Sequence, residues 1–348
     1  MHQAQPERKV WVHRPARGFI TPLTVISIGV IVMLLLAALQ TEGAVFSQSV
    51  LSALTPLIGV MILAAAGQAL VIGTGGIDLS VPAAITVTGI ILTTYTDGEA
   101  GRLAPAIVIV LIAVVIMGLV NGILVEVFGL NSLVVTLAVG LLAIGFGRLY
   151  RGKLLSVVGV PEPLVQFSGS NVGGISFLLI ASVALAAIAT FFVWLTVPGR
   201  RLVASSASAA AGFLVGLQAS LYRISAYAVA GVLYGIAGIM LAGLLTTPDL
   251  AIGEPYLLAP IVAVVLGGAV LSGGRVSFVA TLLGALFVPL LNLNLAVAGF
   301  TGGMPALVQG LVLALGLTLV FLLRDKRFLS RIFSRRPGGE GALQGSTH

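Results

Sequence analysis

The 348-residue chain is 58% hydrophobic and 8% charged, has no cysteine, and carries a formal net charge of +7. Soluble domains hold about 25% charged residues, so this composition excludes a globular protein in water and places the chain in a bilayer. The lack of cysteine excludes disulfides, thiolate metal sites and cysteine nucleophiles, and the three histidines, His2, His13 and His348, lie in terminal tails without forming a ligand cluster.

Inside a bilayer every backbone N–H and C=O must be bonded within its own element, so long uncharged apolar runs read as helices. Ten such runs predict spans over residues 19–40, 53–72, 79–96, 104–125, 131–148, 175–197, 223–246, 257–271, 277–293 and 305–323. The expected fold is an all-α polytopic membrane protein: a cytoplasmic tail over 1–18, a transmembrane domain over 19–323 and a basic cytoplasmic tail over 324–348. The first run follows Arg8, Lys9, Arg14 and Arg17 like a signal peptide, but its length and the missing small-residue cleavage site favour an uncleaved span.

Orientation follows from basic residues on alternate loops. With the N-terminus inside, 14 of the 18 lysines and arginines fall on the inner side, leaving Arg102, Arg148, Arg151 and Lys153 outside. Both termini are therefore expected in the cytoplasm, and the positive charge is a topology signal that needs no nucleic-acid partner. The cluster Arg324, Lys326, Arg327, Arg331, Arg335 and Arg336 is expected to touch anionic lipid headgroups. An outer loop runs from about 148 to 174 and an inner one over about 198–222. Residues 203–219 of the inner loop are rich in small side chains and predict a short helix at the membrane face, a docking element for a soluble partner.

A chain that uses ATP itself needs a glycine-rich phosphate loop ending in a Ser or Thr for magnesium. The nearest match, Gly147-Arg-Leu-Tyr-Arg-Gly-Lys-Leu154, ends in leucine and follows an apolar run. No catalytic motif stands elsewhere, so the chain is expected to be no enzyme and to bind no cofactor or metal directly. Ionisable residues within spans are costly and point to function. Asp78 lies in Val71-Ile-Gly-Thr-Gly-Gly-Ile-Asp-Leu-Ser-Val-Pro82, where glycines and a proline interrupt the apolar pattern. Broken helices are tolerated in membranes where protein or a water-filled cavity receives the freed backbone groups, so this stretch predicts an elbow or part of a pathway. Asp78 would cap the third helix through N–H groups near Val81, or meet a partner across the elbow. Glu126 reads as a residue of the membrane interface. So few buried carboxylates argue against proton or sodium coupling, so the driving energy is expected from elsewhere. Gly118-x-x-x-Gly122 and Gly231-x-x-x-Gly235 predict close helix packing. A weak repeat links Gly75-Gly-x-x-Leu-Ser80 with Gly267-Gly-x-x-Leu-Ser272.

These residues resemble the ribose-type permeases of bacterial ABC importers. The resemblance rests on Gly-Gly-Ile-Asp-Leu-Ser at 75–80, Gly118-Leu-Val-Asn-Gly-Ile-Leu-Val125, Leu133-Val-Val-Thr-Leu-Ala138, the spacing of Gly199 through Arg223, Tyr227 and Gly231, and Gly253, Tyr256 and Thr281-Leu-Leu-Gly-Ala285. It covers about residues 50–320 and implies a ten-span, type II-like importer permease in the bacterial inner membrane. The same resemblance implies a second permease copy or paralogue, ABC ATPase subunits holding ATP and magnesium, and a periplasmic or lipid-anchored solute-binding protein. It implies coupling to the ATPase through Ala204, Ser208, Ala211, Gly212 and Gly216, and a pathway or elbow at Gly75, Gly76, Asp78, Ser80, Asn121, Tyr256, Gly267 and Gly268. A monosaccharide or related small polar solute is the implied cargo, with branched-chain amino acids or nucleosides as alternatives and an ion-driven carrier as the rival class. The chain departs from the family at Ser206-Ala-Ser208, at Ala210-Ala-Gly-Phe213, at Pro82, and at Leu257 and Ala259, where the family carries carboxylates.

Overall fold

The computed structural model describes residues 21–152, 159–207, 218–274 and 276–324. These residues are almost wholly helical, with one two-residue hairpin. In chain order the helices are α1 (Pro22–Gln40), α2 (Gln48–Thr74), α3 (Val81–Thr96), α4 (Leu103–Glu126), α5 (Ser132–Arg151), α6 (Glu162–Gly169), α7 (Phe177–Leu195), α8 (Val197–Ala207), α9 (Ala219–Leu245), α10 (Ala259–Leu266), α11 (Phe278–Val297) and α12 (Met304–Arg324). The hairpin pairs Asn171 with Ser176 and Val172 with Ile175 around Gly173 and Gly174, both at positive φ, the backbone a two-residue turn demands.

Side-chain caps fix where the helices begin. Thr21, Ser47, Asn131, Ser176 and Ser277 each accept a backbone N–H from the first turn of α1, α2, α5, α7 and α11. Each cap supplies an acceptor for one of the helix N–H groups that has no partner in its own helix.

Among the described residues six helices are long and apolar enough to cross a membrane, and the bent pair α7 and α8, meeting at 76°, adds a seventh if it is one span. Two shorter apolar stretches, Val81–Thr96 and Glu254–Leu266, fall below that length. A 16-residue helix such as α3 rises only about 24 Å, less than the roughly 30 Å hydrocarbon core. The ten-run reading of the sequence is thus matched at its long, uninterrupted runs and not at its broken ones.

Two helices form the centre. From Leu54 onward α2 is buried on nearly every side, and α9 is buried through Tyr227, Tyr234, Ala237 and Leu241. Helices apolar all round are stable only when surrounded. The others turn apolar side chains outward, Ile28 and Leu35 on α1, Ile112 and Ile116 on α4, Leu141 and Phe146 on α5, as a lipid solvent permits. The crossing of α4 and α9 uses the glycines singled out above: a Cβ on Gly118 would lie 2.8 Å from Ala228 Cα, and one on Gly122 2.8 Å from Ile224 Cα. Packing and close backbone approach explain these positions.

The near-match to a phosphate loop is not a loop. Residues 147–151 form the last turn of α5, with helical backbone bonds in place of exposed N–H groups, while Lys153 and Leu154 lie outside the described residues.

Candidate functional site

Between α2 and α3 the chain leaves helical geometry for five residues, Gly76 to Ser80. Thr74 ends α2, and Gly75 at φ 92° turns the chain back, its N–H donating to Ile72 O at 2.9 Å. A residue with a Cβ pays steric strain at that φ, so glycine belongs there. Gly76 is required for a different reason: a Cβ on it would overlap the Tyr227 hydroxyl from α9.

The elbow leaves four backbone donors without a helix, and side chains receive each of them. Ile77 N–H donates to Ser132 Oγ at 3.2 Å and Leu79 N–H to Thr136 Oγ1 at 2.8 Å, both on α5. Ser80 N–H donates to Asp78 Oδ1 at 2.8 Å. Gln68, fully buried on α2, takes the fourth: with its amide oriented to suit its neighbours it accepts from Asp78 N–H at 3.3 Å, donates to Asp78 O at 3.0 Å and donates to the Tyr234 hydroxyl at 3.2 Å. The elbow thus meets the requirement that irregular backbone at membrane depth be bonded to protein.

Asp78 differs from the capping expectation. The residue preceding α3 is Ser80, and Asp78 binds that residue, not the N–H groups near Val81: the Ser80 hydroxyl donates to Asp78 Oδ1 at 2.5 Å alongside the Ser80 N–H. The reason is reach, since Asp78 and Ser80 close a local turn two residues long before the helix starts. Asn121 of α4 extends the relay, its Nδ2 donating to Ser80 Oγ at 2.9 Å, while its buried Oδ1 has no partner among the described residues. Asp78 is 1% exposed, and among the described residues no basic side chain lies within ion-pair distance of it. The two ion pairs described are Arg102 with Glu99 and Arg223 with Glu126, the latter at 3.5 Å between the ends of α9 and α4.

Of the residues named from sequence, Gly75, Gly76, Asp78, Ser80 and Asn121 come together in this one cluster. Gly267 and Gly268 form a second elbow between α10 and α11. Tyr256 belongs to neither; it closes a short 3-10 turn, Glu254–Tyr256, before α10. The chain leading to that turn is held against α3, with Gly253 N–H donating to Thr86 Oγ1 at 3.2 Å. Ala204 lies exposed near the end of α8, and Ser208, Ala211, Gly212 and Gly216 fall outside the described residues. Residues the sequence reading did not assign to the elbow hold it in place: Gln68, Ser132, Thr136, Tyr227 and Tyr234. Their signal was present, as a glutamine within an apolar span and as hydroxyls four apart on one face of α5.

The family model described as "Branched-chain amino acid transport system / permease component" matches residues 50–321. The chain belongs to this permease family. The ribose import permease protein RbsC of Escherichia coli strain K12 is 30% identical to it over 263 residues, 72% of this chain and 79% of that protein. The galactofuranose transporter permease protein YtfT of the same strain is 30% identical over 276 residues, 78% of each. The fructose import permease protein FrcC of Rhizobium meliloti is 26% identical over 306 residues, 86% of this chain and 85% of that protein. No solved structure matches. The permease is a non-catalytic transport subunit of an ABC transporter and a multi-pass membrane protein.

Proposed function

We propose that the permease is the transmembrane subunit of a type II-like ABC importer in the bacterial inner membrane, with ten spans and both termini cytoplasmic, carrying a monosaccharide. The single observation that carries the sugar reading is the agreement of relatives named for ribose, galactofuranose and fructose, each aligned over most of its length. The ten-span count is supported by helices within all ten apolar runs. The domain bounds 1–18, 19–323 and 324–348 follow from that count.

In this reading a binding protein delivers the solute, ATP and magnesium act in two partner ATPases, and a second permease copy or paralogue completes the cavity. The 198–222 segment, including Ala204, Ser208, Ala211, Gly212 and Gly216, docks on an ATPase and transmits its motion. The elbow residues Gly75, Gly76, Asp78, Ser80 and Asn121, with Tyr256, Gly267 and Gly268, shape the pathway by placing irregular backbone at membrane depth. Alternating exposure of the cavity moves the solute.

One second reading has a specific observation behind it: the family description names branched-chain amino acids. The test is uptake into proteoliposomes holding the permease with its ATPase and binding protein, using labelled ribose, fructose and leucine in separate arms. Sugar uptake that requires ATP and the partner ATPase is expected. Leucine uptake alone would replace the sugar reading by the second one, and uptake by the permease without ATPase, driven by an ion gradient, would overturn the importer reading.

A further inference from the structure

The two Gly-Gly-x-x-Leu-Ser stretches end two helices in the same way. At the end of α2, Gly75 N–H donates to Ile72 O at 2.9 Å and Gly76 N–H to Val71 O at 3.3 Å; at the end of α10, Gly268 N–H donates to Val265 O at 2.8 Å and Ala269 N–H to Val264 O at 3.2 Å. Each pair is the nested 5→2 and 6→1 arrangement closed by a left-handed glycine, Gly75 at φ 92° and Gly268 at φ 82°. Gly75 therefore corresponds in structure to Gly268, one residue on from the sequence match.

The two turns also meet. Gly274 N–H donates to Gly73 O at 3.0 Å. That carbonyl is among the last four of α2, which have no donor in their own helix, so the second elbow completes the cap of the first. A Cβ on Gly273 would stand 2.8 Å from Gly75 N and 2.9 Å from Gly75 Cα, and one on Gly75 3.3 Å from Ser272 O. The two backbones touch with no side chain between them, which glycine alone permits. Beside this contact, a Cβ on Gly73 would lie 3.6 Å from Val276 Cγ2.

We propose that Ser272–Gly274 is a positioning element for transport, joining the end of α2 and the Asp78 elbow to α10 and α11 so that both broken spans move as one body during the switch between outward and inward access. This rests on the reading of the chain as an ATP-driven permease. Independent movement would strip Gly73 O of its donor in every cycle, whereas joint movement keeps it. The two halves of the repeat lie far apart in sequence, and their contact joins the end of α2 to the segment that leads into α11.

The permease has no cysteine, so Gly73→Cys with Val276→Cys introduces the only thiols into the full chain. A Cβ at 73 would lie 3.6 Å from Val276 Cγ2, which brings the two thiols within reach of each other, and oxidation of the complex with its ATPase and binding protein in proteoliposomes is expected to form the bond while uptake stays within about twofold of the reduced form. A fall of about tenfold or more, reversed by reductant, would overturn the proposal, as would failure of the thiols to link in any nucleotide state. The second variant, Gly273→Ala, drives a methyl into Gly75. It is expected to keep solute-stimulated ATP hydrolysis within about twofold while uptake falls about tenfold, raising the ATP used per solute. Loss of folded yield with an unchanged ratio of ATP to solute in the surviving protein would reduce the contact to a structural one and overturn the proposal. Absence of ATP-dependent uptake by the unmodified complex would instead strike the importer reading itself.

Discussion

Thr136→Val removes one hydroxyl from the elbow and changes almost nothing else. Valine matches threonine in shape, and the site is fully buried. The lost Oγ1 is the acceptor for Leu79 N–H at 2.8 Å, and it also donates to Ser132 O at 2.8 Å. The carbonyl keeps its position within α5, so its loss is small. The N–H has no helix to return to, and an unpaired buried donor costs about 1–3 kcal/mol. Such a cost lowers the population of the closed elbow relative to opened forms by roughly 5- to 150-fold. Hydrogen exchange of peptides covering 76–80 reads this directly, because exchange requires opening. We expect Thr136→Val to speed exchange at Leu79 within that range and to lower ATP-driven uptake, while Thr136→Ser, which keeps the oxygen, stays within about twofold of the unmodified permease in both. Unchanged exchange and uptake in the valine variant would refute the claim that side-chain acceptors hold the elbow.

Asp78→Asn keeps an oxygen for the Ser80 N–H and hydroxyl and is expected to retain most uptake, whereas Asp78→Leu orphans both groups and is expected to lose folded yield on size-exclusion chromatography. An asparagine variant as inactive as leucine yet well folded would show that the negative charge itself is needed. Gly118→Leu places a branched side chain where a Cβ already meets Ala228 Cα at 2.8 Å; overpacking of this kind costs about 1–3 kcal/mol or more, and a lower thermal midpoint in detergent is expected.

The long spans were legible because each is an uninterrupted apolar run, and α1, α2, α4, α5, α7, α9 and α11 stand where those runs stand. The broken spans were legible only as breaks. Glycine and proline at 73–82 announce that a helix stops, but they do not say how deep the stop lies or that the turns leading to α10 are held against α3 through Gly253 and Thr86. The elbow's own residues were found and their supports were not, since local spacing says nothing of which neighbouring span crosses there. The backbone held that information in another form. Residues 77–80 carry four donors, and the motif supplies one acceptor of its own, Asp78 for Ser80. Three acceptors must therefore come from other spans, and in chains this apolar few side chains qualify: Gln68, Ser132 and Thr136 are the three that serve.

The same count bears on the source of energy. An ion-driven carrier needs buried carboxylates that change partners as they bind and release a cation, with access to water in at least one state. Among the described residues Asp78 is the one carboxylate in either glycine elbow, and its Oδ1 is committed to two donors of Ser80, whose hydroxyl also accepts from Asn121. Releasing Asp78 would free the Ser80 N–H and disturb the start of α3, so a cycle of binding and release at this residue would disrupt the fold that forms the site. Glu126, at the end of α4, is paired with Arg223. Asp78 and Glu126 are thus used to hold structure, which favours the proposed reading, in which the energy for transport comes from partner subunits.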